Sequence, residues 1–540
     1  MKRFLFLLLS AVPFLVAAQN LPPDHLSLSP VSITGLGGIQ SYAFGQINGE
    51  WVIIGGRLDG LHRRQPFAAF DLAGHNTTIW VVDPTNDRLW TAPLASLPAN
   101  LREPLSATNP EFYQEDTTLL IIGGYGYSPS LGDHTTFPTL TVLDLPTLIA
   151  AVKEGTSILP AFQQLRDEKF AVTGGRLAKI YETWYLVGGQ KFEGRYNPMG
   201  PDHGPGFTQV YTDQVRRFSL LFGGDTIAVE HLTDWTDEAH LHRRDYNVVP
   251  QILPNGEEGL TAFSGVFRRD ADLPFLQPVD IDSSGHTVNF DFLQYYNHYH
   301  CPTIPLYAEG AGQMHTLFFG GMAQFYPGDN GRIQDDNVPF VKTITRVTRM
   351  ASGEMEEVPL TQQLPAFLGA GAEFIPREDL PTFPNGVIRM DDLNVAPGDS
   401  LLLGYIFGGI RSSAENIFFV NDGTQSDAHN RAYAVYLHNT TSTALHPDAG
   451  PTVSGFRVYP NPNQGSFRIT FSTREPLQHV QLSVYDLLGQ RIASKALAPL
   501  SVGDHQLEWQ HKEKLVPGNY LLQLTRGTQV LVSGKLVVHD

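Results

Sequence analysis

The sequence predicts an all-β protein made of a repeated unit and finished by a smaller β-domain. Three observations predict it. The 540 residues include 51 Gly and 38 Pro beside 11% aromatic side chains, a mixture suited to many short strands joined by turns. Short apolar runs ending in Gly-Gly recur along the first four-fifths of the chain. The last 85 residues alternate apolar and polar side chains between Gly/Asn turns, as strands of a small antiparallel sandwich do.

The Gly-Gly runs are Trp51–Gly56, Leu119–Gly124, Trp184–Gly189, Thr316–Gly321 and Gly404–Gly409. The interval between the third and fourth is about double the earlier ones, and the degenerate copy Gly259–Gly265 falls inside it. A strand-like segment leads each run: Gly38–Gly45, Pro104–Asn109, Ala171–Arg176, Arg244–Ile252, Asn297–Ile304 and Phe367–Ala372. A loop and a further hairpin follow. In the first unit the hairpin is Thr78–Asp83 with Arg88–Trp90; in the third it is Val215–Phe222 with Thr226–Trp235, which makes Gly223-Gly224 a hairpin turn.

Six four-stranded units, each with Gly-Gly after its second strand, resemble the kelch family of β-propellers. The resemblance implies a six-bladed propeller over residues 19–446. It departs from the family in unit length, nearer 70 residues than 50, and in an incomplete outer-strand Trp signature. The extra length is expected in loops such as Lys191–Thr208 and Met322–Asn337, crowding the channel mouth. The last outer strand is expected from Leu26–Val31 or from the segment after Tyr436.

Met1–Asn20 has a basic start at Lys2 and Arg3, an apolar run from Phe4 to Val16, and small residues at Ala17 and Ala18. Residues 1–18 therefore read as a signal peptide. No later stretch is long and apolar enough to span a bilayer, so no transmembrane segment is expected in the mature chain. Cys301 is the single cysteine, which excludes an intrachain disulfide and fits a bacterial exported protein. Net charge is −18; nine basic and six acidic residues after Gly455 leave that tail at +3 and the remainder at −21. Such an acidic body repels phosphate backbones, so nucleic-acid binding is excluded.

Residues 447–455 form a Pro/Gly-rich linker to a domain at 456–540. That domain carries Tyr459-Pro-Asn-Pro462, Val484–Gln490, Pro517-Gly-Asn-Tyr520 and a terminal Lys535-Leu-Val-Val538. In order and spacing these motifs resemble the type A C-terminal sorting domain of the Bacteroidetes type IX secretion system. The resemblance implies an Ig-like sandwich, a partner in the secretion machinery, and a product secreted or held on the outer surface.

Two groups of side chains could carry chemistry. Asn297-His-Tyr-His-Cys301 would, on a strand, point His298 and His300 the same way. That spacing suits a metal, although packing round a narrow channel is the preferred reading. Asn109, Arg176, Arg244, Asp245 and Tyr246 stand where inner strands begin; Arg244-Asp-Tyr combines an anion clamp, a base and a stacking ring. No Walker, GxSxG, HExxH or EF-hand pattern occurs, and no cofactor is expected. The preferred reading is a non-enzymatic binder of a glycan, peptide or surface protein at the channel mouth. The alternative is a carbohydrate-active enzyme, of the kind that mutarotates sialic acids on related propellers.

Overall fold

The computed structural model describes residues 21–63, 69–196, 207–223, 226–328, 331–439, 453–473, 476–478, 480–485, 491–509, 515–526 and 529–539. The leader at 1–18 and residues 447–452 of the linker lie outside the described residues. The chain divides into two units, Met1–Thr440 and Thr441–Asp540. None of the described helices is long and apolar enough to cross a membrane.

The first unit is all-β apart from short helical connections. Its first sheet runs Ala43–Ile47, Glu50–Ile54, Thr78–Asp83, Arg88–Pro93, each strand antiparallel to the last. Four further sheets repeat this order, with inner strands at Glu111–Glu115, Arg176–Ile180, Asn247–Ile252 and Thr303–Ala308. The sixth uses Ala372–Pro376, Ser400–Gly408 and Ala432–His438, and then takes its fourth strand from the other end of the chain. Leu26–Val31 pairs with it in register from Leu26↔Leu437 to Val31↔Ala432. Of the two segments expected to supply the last outer strand, the N-terminal one does so.

Side-chain alternation explains the continuous apolar runs. In Glu50–Ile54, Val52 and Ile54 pack with the second sheet's Leu119 and Ile121. Trp51 and Ile53 face the other way, onto Ile375 and Phe407 of the sixth sheet. Comparable clusters join the second sheet to the third, the third to the fourth, the fourth to the fifth and the fifth to the sixth. A strand buried on both faces must be apolar throughout.

The glycine pairs occupy the crossing from one sheet to the next. Gly123 has φ +65°, and a Cβ there would stand 2.0 Å from the Val172 carbonyl oxygen of the neighbouring sheet's entry loop. That oxygen accepts the N–H of Gly124 at 2.9 Å. The same bond recurs from Gly56 to Ala107, Gly189 to Arg243, Gly321 to Leu368 and Gly409 to Ile39, all 2.7–2.8 Å. In the degenerate fourth unit Ser264 takes φ +49° and Gly265 donates to the His298 carbonyl at 3.3 Å. Only one glycine survives there, yet the backbone still crosses in the left-handed region.

Of the segments expected to lead each unit, Arg244–Ile252 contains the inner strand Asn247–Ile252 and Gly38–Gly45 overlaps Ala43–Ile47, whereas the other four lie mostly ahead of theirs. Pro104–Asn109 ends a helix, Ala99–Leu105, before the strand opens at Glu111. Residues 297–302 are likewise outside any strand. The extra unit length forms structure of its own. Tyr125–Ser128 and Asp133–Thr136 from the second unit join Gln190–Gly194 and Phe207–Tyr211 from the third in a separate four-stranded sheet. Hairpins also fill Phe325–Gln334 and Ile410–Ala428.

The second unit is a pair of antiparallel sheets, one of Val453–Tyr459, Phe467–Thr473 and Gly503–Trp509, the other of Arg491–Ala496, Val480–Tyr485, Gly518–Arg526 and Gln529–Val538. Its core includes Ile469, Leu482, Val484, Leu522 and Leu524. The Asn residues of the Tyr-Pro-Asn-Pro-Asn stretch bind the terminal strand: Asn461 Nδ2 donates to the Lys535 carbonyl and Asn463 Nδ2 to that of Val537. Tyr520 Oη donates to the Val516 carbonyl, closing the Pro-Gly-Asn-Tyr turn.

Candidate functional site

Six residues, one just ahead of each inner strand, are linked by backbone hydrogen bonds in a closed cycle. Ser41 N–H donates to Gly371 O (2.8 Å), Gly371 to His300 (3.1 Å), and His300 to Asp245 (2.9 Å). Asp245 donates to Gly174 (2.7 Å), Gly174 to Asn109 (3.3 Å), and Asn109 back to Ser41 (3.0 Å). Ser41, Asn109 and Asp245 take positive φ to do so, as short polar residues tolerate.

Beside this cycle is a cavity of about 180 Å³ whose lining includes Ser41, Asn109, Asp245, His300 and Gly371. The rest of its wall comes from neighbours of the cycle, such as Gln40, Thr108, Thr173, Arg244, Tyr299 and Ala370, and from the loops after the glycine pairs. Arg57, Tyr125, Gln190, Met322 and Ile410 each directly follow a pair, and Phe267 follows Gly265 by two residues. All six units contribute. His62, Phe70, Tyr125, Phe192 and Tyr196 form one aromatic network, with ring centroids 4.9–5.9 Å apart.

Two guanidinium groups enter this wall. Arg57 is 2% exposed. Its Nε and Nη2 bind the Asp59 carboxylate at 2.7 and 2.5 Å, and its plane lies 5.3 Å from the Phe70 ring. Among the described residues its buried Nη1 has no hydrogen-bond partner. Arg244 donates Nε to Tyr211 Oη and Nη1 to Asp245 Oδ2, both at 2.9 Å, and stacks 5.1 Å from Phe267. Burial and then the charges of Arg244 and Arg57 press the pKa of His62 down to about 4, so His62 is neutral at ordinary pH.

Arg176 lines a separate recess of about 20 Å³, room for a water molecule. It pairs with Glu373 through Nη1 and Nη2 at 3.3 and 3.4 Å, and His300 Nε2 lies 2.9 Å from the same carboxylate. Burial alone would raise the Glu373 pKa, but Arg176 and His300 overcome it and bring the pKa to about 2. Glu111 is the opposite case. Burial drives it up to about 8 despite the Gly175 N–H on Oε1, and its Oε2 has no partner among the described residues.

The predicted site residues thus divide. Asn109, Arg244, Asp245 and His300 meet at the cavity, with Asn109 Nδ2 3.3 Å from Asp245 Oδ1. Tyr246 is no stacking ring: it is buried and its Oη donates to the Val187 carbonyl. Asn297 is fully buried, donating to the Gly320 and Thr343 carbonyls. His298 and His300 do not point together, because the segment is not a strand. His298 Nε2 donates to the Gln294 carbonyl while Nδ1 accepts the Gln324 N–H. No trio of His, Cys, Asp or Glu among the described residues could hold a metal. Sequence reasoning missed Arg57, Tyr125, Gln190, Met322 and Ile410. The position after each Gly-Gly was the available signal.

Residues 457–539 match the family model described as a secretion system C-terminal sorting domain. The molecule is thus one built for export. Its second unit is a sorting domain of the type IX secretion system, which implies interaction with that machinery and a secreted or cell-surface state. No curated protein matches the chain. Among solved structures, the structure of YjhT aligns over 74% of this chain and 100% of that one, at 12% identity and a TM-score of 0.39.

Proposed function

We propose that the first unit is a six-bladed, kelch-like β-propeller. A signal peptide and the sorting domain bring it to the cell exterior, where it binds a ligand in the cavity beside its central hydrogen-bond cycle. The closed cycle of six backbone bonds, with an apolar cluster between every successive pair of sheets, supports the propeller. The observation that carries the binding role is the convergence of loops from all six units on one aromatic-walled cavity. Binding is preferred over catalysis because the charged groups there are already paired: Arg57 with Asp59, Arg244 with Asp245, and His300 with Glu373 of the adjoining recess. A general base needs a free site for the proton it takes.

The test is a titration of the full chain with saccharides, sugar acids and peptides, repeated on Met322→Trp, whose larger side chain fills the cavity. A ligand at 100 times its Kd stabilises the fold by about 2.7 kcal/mol. Binding that Met322→Trp abolishes supports the reading. Binding that survives it sets the site elsewhere. Turnover of a saccharide would favour the enzyme reading instead.

A further inference from the structure

The cavity combines a largely apolar wall with one buried cationic nitrogen, Arg57 Nη1, that has no acceptor among the described residues. Arg57 is buried, held from behind by Asp59 and the Asp71 carbonyl, and its Nη1 has no partner among the described residues. A buried donor on a charged group left without an acceptor is costly, and an oxygen from a ligand relieves that cost. Arg244 lines the same cavity and is fixed through Nε and Nη1. His62 sits within the field of both guanidinium groups, so their charges act on one space.

Asp245 also lines the cavity. Each arginine is already matched by one carboxylate, Arg57 by Asp59 from behind and Arg244 by Asp245, so what the lining offers a ligand is the donor Arg57 Nη1 and not an excess of charge. One donor without an acceptor among the described residues suits a single carboxylate, and the two carboxylates already there disfavour a dianion. The rings of Phe70, Phe192 and Tyr196 and the side chains of Met322 and Ile410 offer flat and aliphatic surface to the remainder of the ligand.

We infer that the cavity selects a small monocarboxylate with a flat apolar body, its carboxylate accepting from Arg57 Nη1 and its body lying among the aromatic rings. The inference rests on the binding role proposed above and names the ligand class for the same site.

The experiment is isothermal titration calorimetry of the full chain with benzoate, phenylacetate and indole-3-acetate, each beside its uncharged primary amide. At least one acid is expected to bind ten times or more tightly than its amide. Arg57→Gln is expected to bring that ratio within twofold, and Arg57→Lys to retain part of it. The wild-type acid-to-amide ratio needs no variant, so it stands even if Arg57→Gln fails to fold. Equal binding of acid and amide overturns the inference. So does acid binding that persists in Met322→Trp. Binding of saccharides or peptides but of none of the acids overturns the inference while the binding role stands. Failure of every compound in both panels overturns both.

Discussion

Gly123→Ala tests why the glycine pairs recur. The added methyl would lie 2.0 Å from the Val172 carbonyl oxygen, inside any tolerable contact, and the fixed neighbour is backbone. Three costs follow. Holding alanine at φ +65° costs ~1 kcal/mol. Relieving the clash displaces the Val172 carbonyl from the Gly124 N–H, a bond worth about 1 kcal/mol. The shift also loosens the apolar contact between the second and third sheets, adding about 1 kcal/mol or more. The total is about 3 kcal/mol. Gly132→Ala is the matched control, because Gly132 has φ +73° but nothing within 4 Å of the place its added methyl would take; it should cost only the ~1 kcal/mol of holding alanine in the left-handed region. Urea unfolding followed by tryptophan fluorescence reads the first unit, which holds five of the six Trp. Equal losses for the two variants would refute the argument that the first glycine exists to admit the next sheet's carbonyl.

Four further outcomes are expected. Glu373 has its pKa depressed from 4.5 to about 2, so its contribution is present above pH 4.5 and lost as pH falls toward 2; Glu373→Gln should remove that acid limb of the stability–pH curve and cost about 3 kcal/mol at neutral pH. Glu111 has its pKa raised from 4.5 to about 8, so stability falls as pH rises through that window; Glu111→Gln should flatten the fall, read by urea midpoints at pH 5 and pH 8. His298→Ala removes both ring hydrogen bonds of a buried side chain and should cost about 2–3 kcal/mol, without changing the affinity of the folded protein for any cavity ligand. Deleting residues 21–31 removes the strand paired with Ala432–His438 and should unfold the first unit at temperatures where the intact chain is native, as circular dichroism would show.

Much of the repeat was legible because a strand buried on both faces must be apolar throughout and must leave its sheet through glycine. Trp51–Gly56 and its copies therefore advertise themselves, and even Gly259–Gly265 could be aligned by spacing. Strand starts were less legible. Segments such as Pro104–Asn109 and Asn297–Ile304 look extended by composition, yet Asn109 and Asn297 take left-handed φ before the strand begins, and the cycle of backbone bonds runs through Asn109 and His300. That is why His298 and His300 part company, although two residues apart on a strand they would share a face. The site was half legible. Asn109, Arg244 and Asp245 were found because polar residues at inner-strand starts stand out, and His300 because of its His-x-His spacing. Arg57 and Tyr125 were not, because their meaning comes from the crossing geometry that sets the residue after Gly-Gly against the cavity. The pairing of Leu26–Val31 with a strand about 400 residues away has no local signal, since Leu-Ser-Leu-Ser alternation suits any edge strand. The sorting domain was the most legible part: Asn461 of Tyr-Pro-Asn-Pro binds the terminal strand, and Tyr520 closes the Pro-Gly-Asn-Tyr turn.

The central claim is that loops from all six units build one ligand site beside the central cycle. A crystal structure of the full chain, soaked with whichever compound binds in calorimetry, tests it most directly. The account predicts the compound against Arg57, Tyr125, Met322 and Phe267, with the Ser41–Gly371–His300–Asp245–Gly174–Asn109 cycle intact beneath it. A compound bound on an outer strand, or a cavity filled by the protein's own side chains, would contradict it.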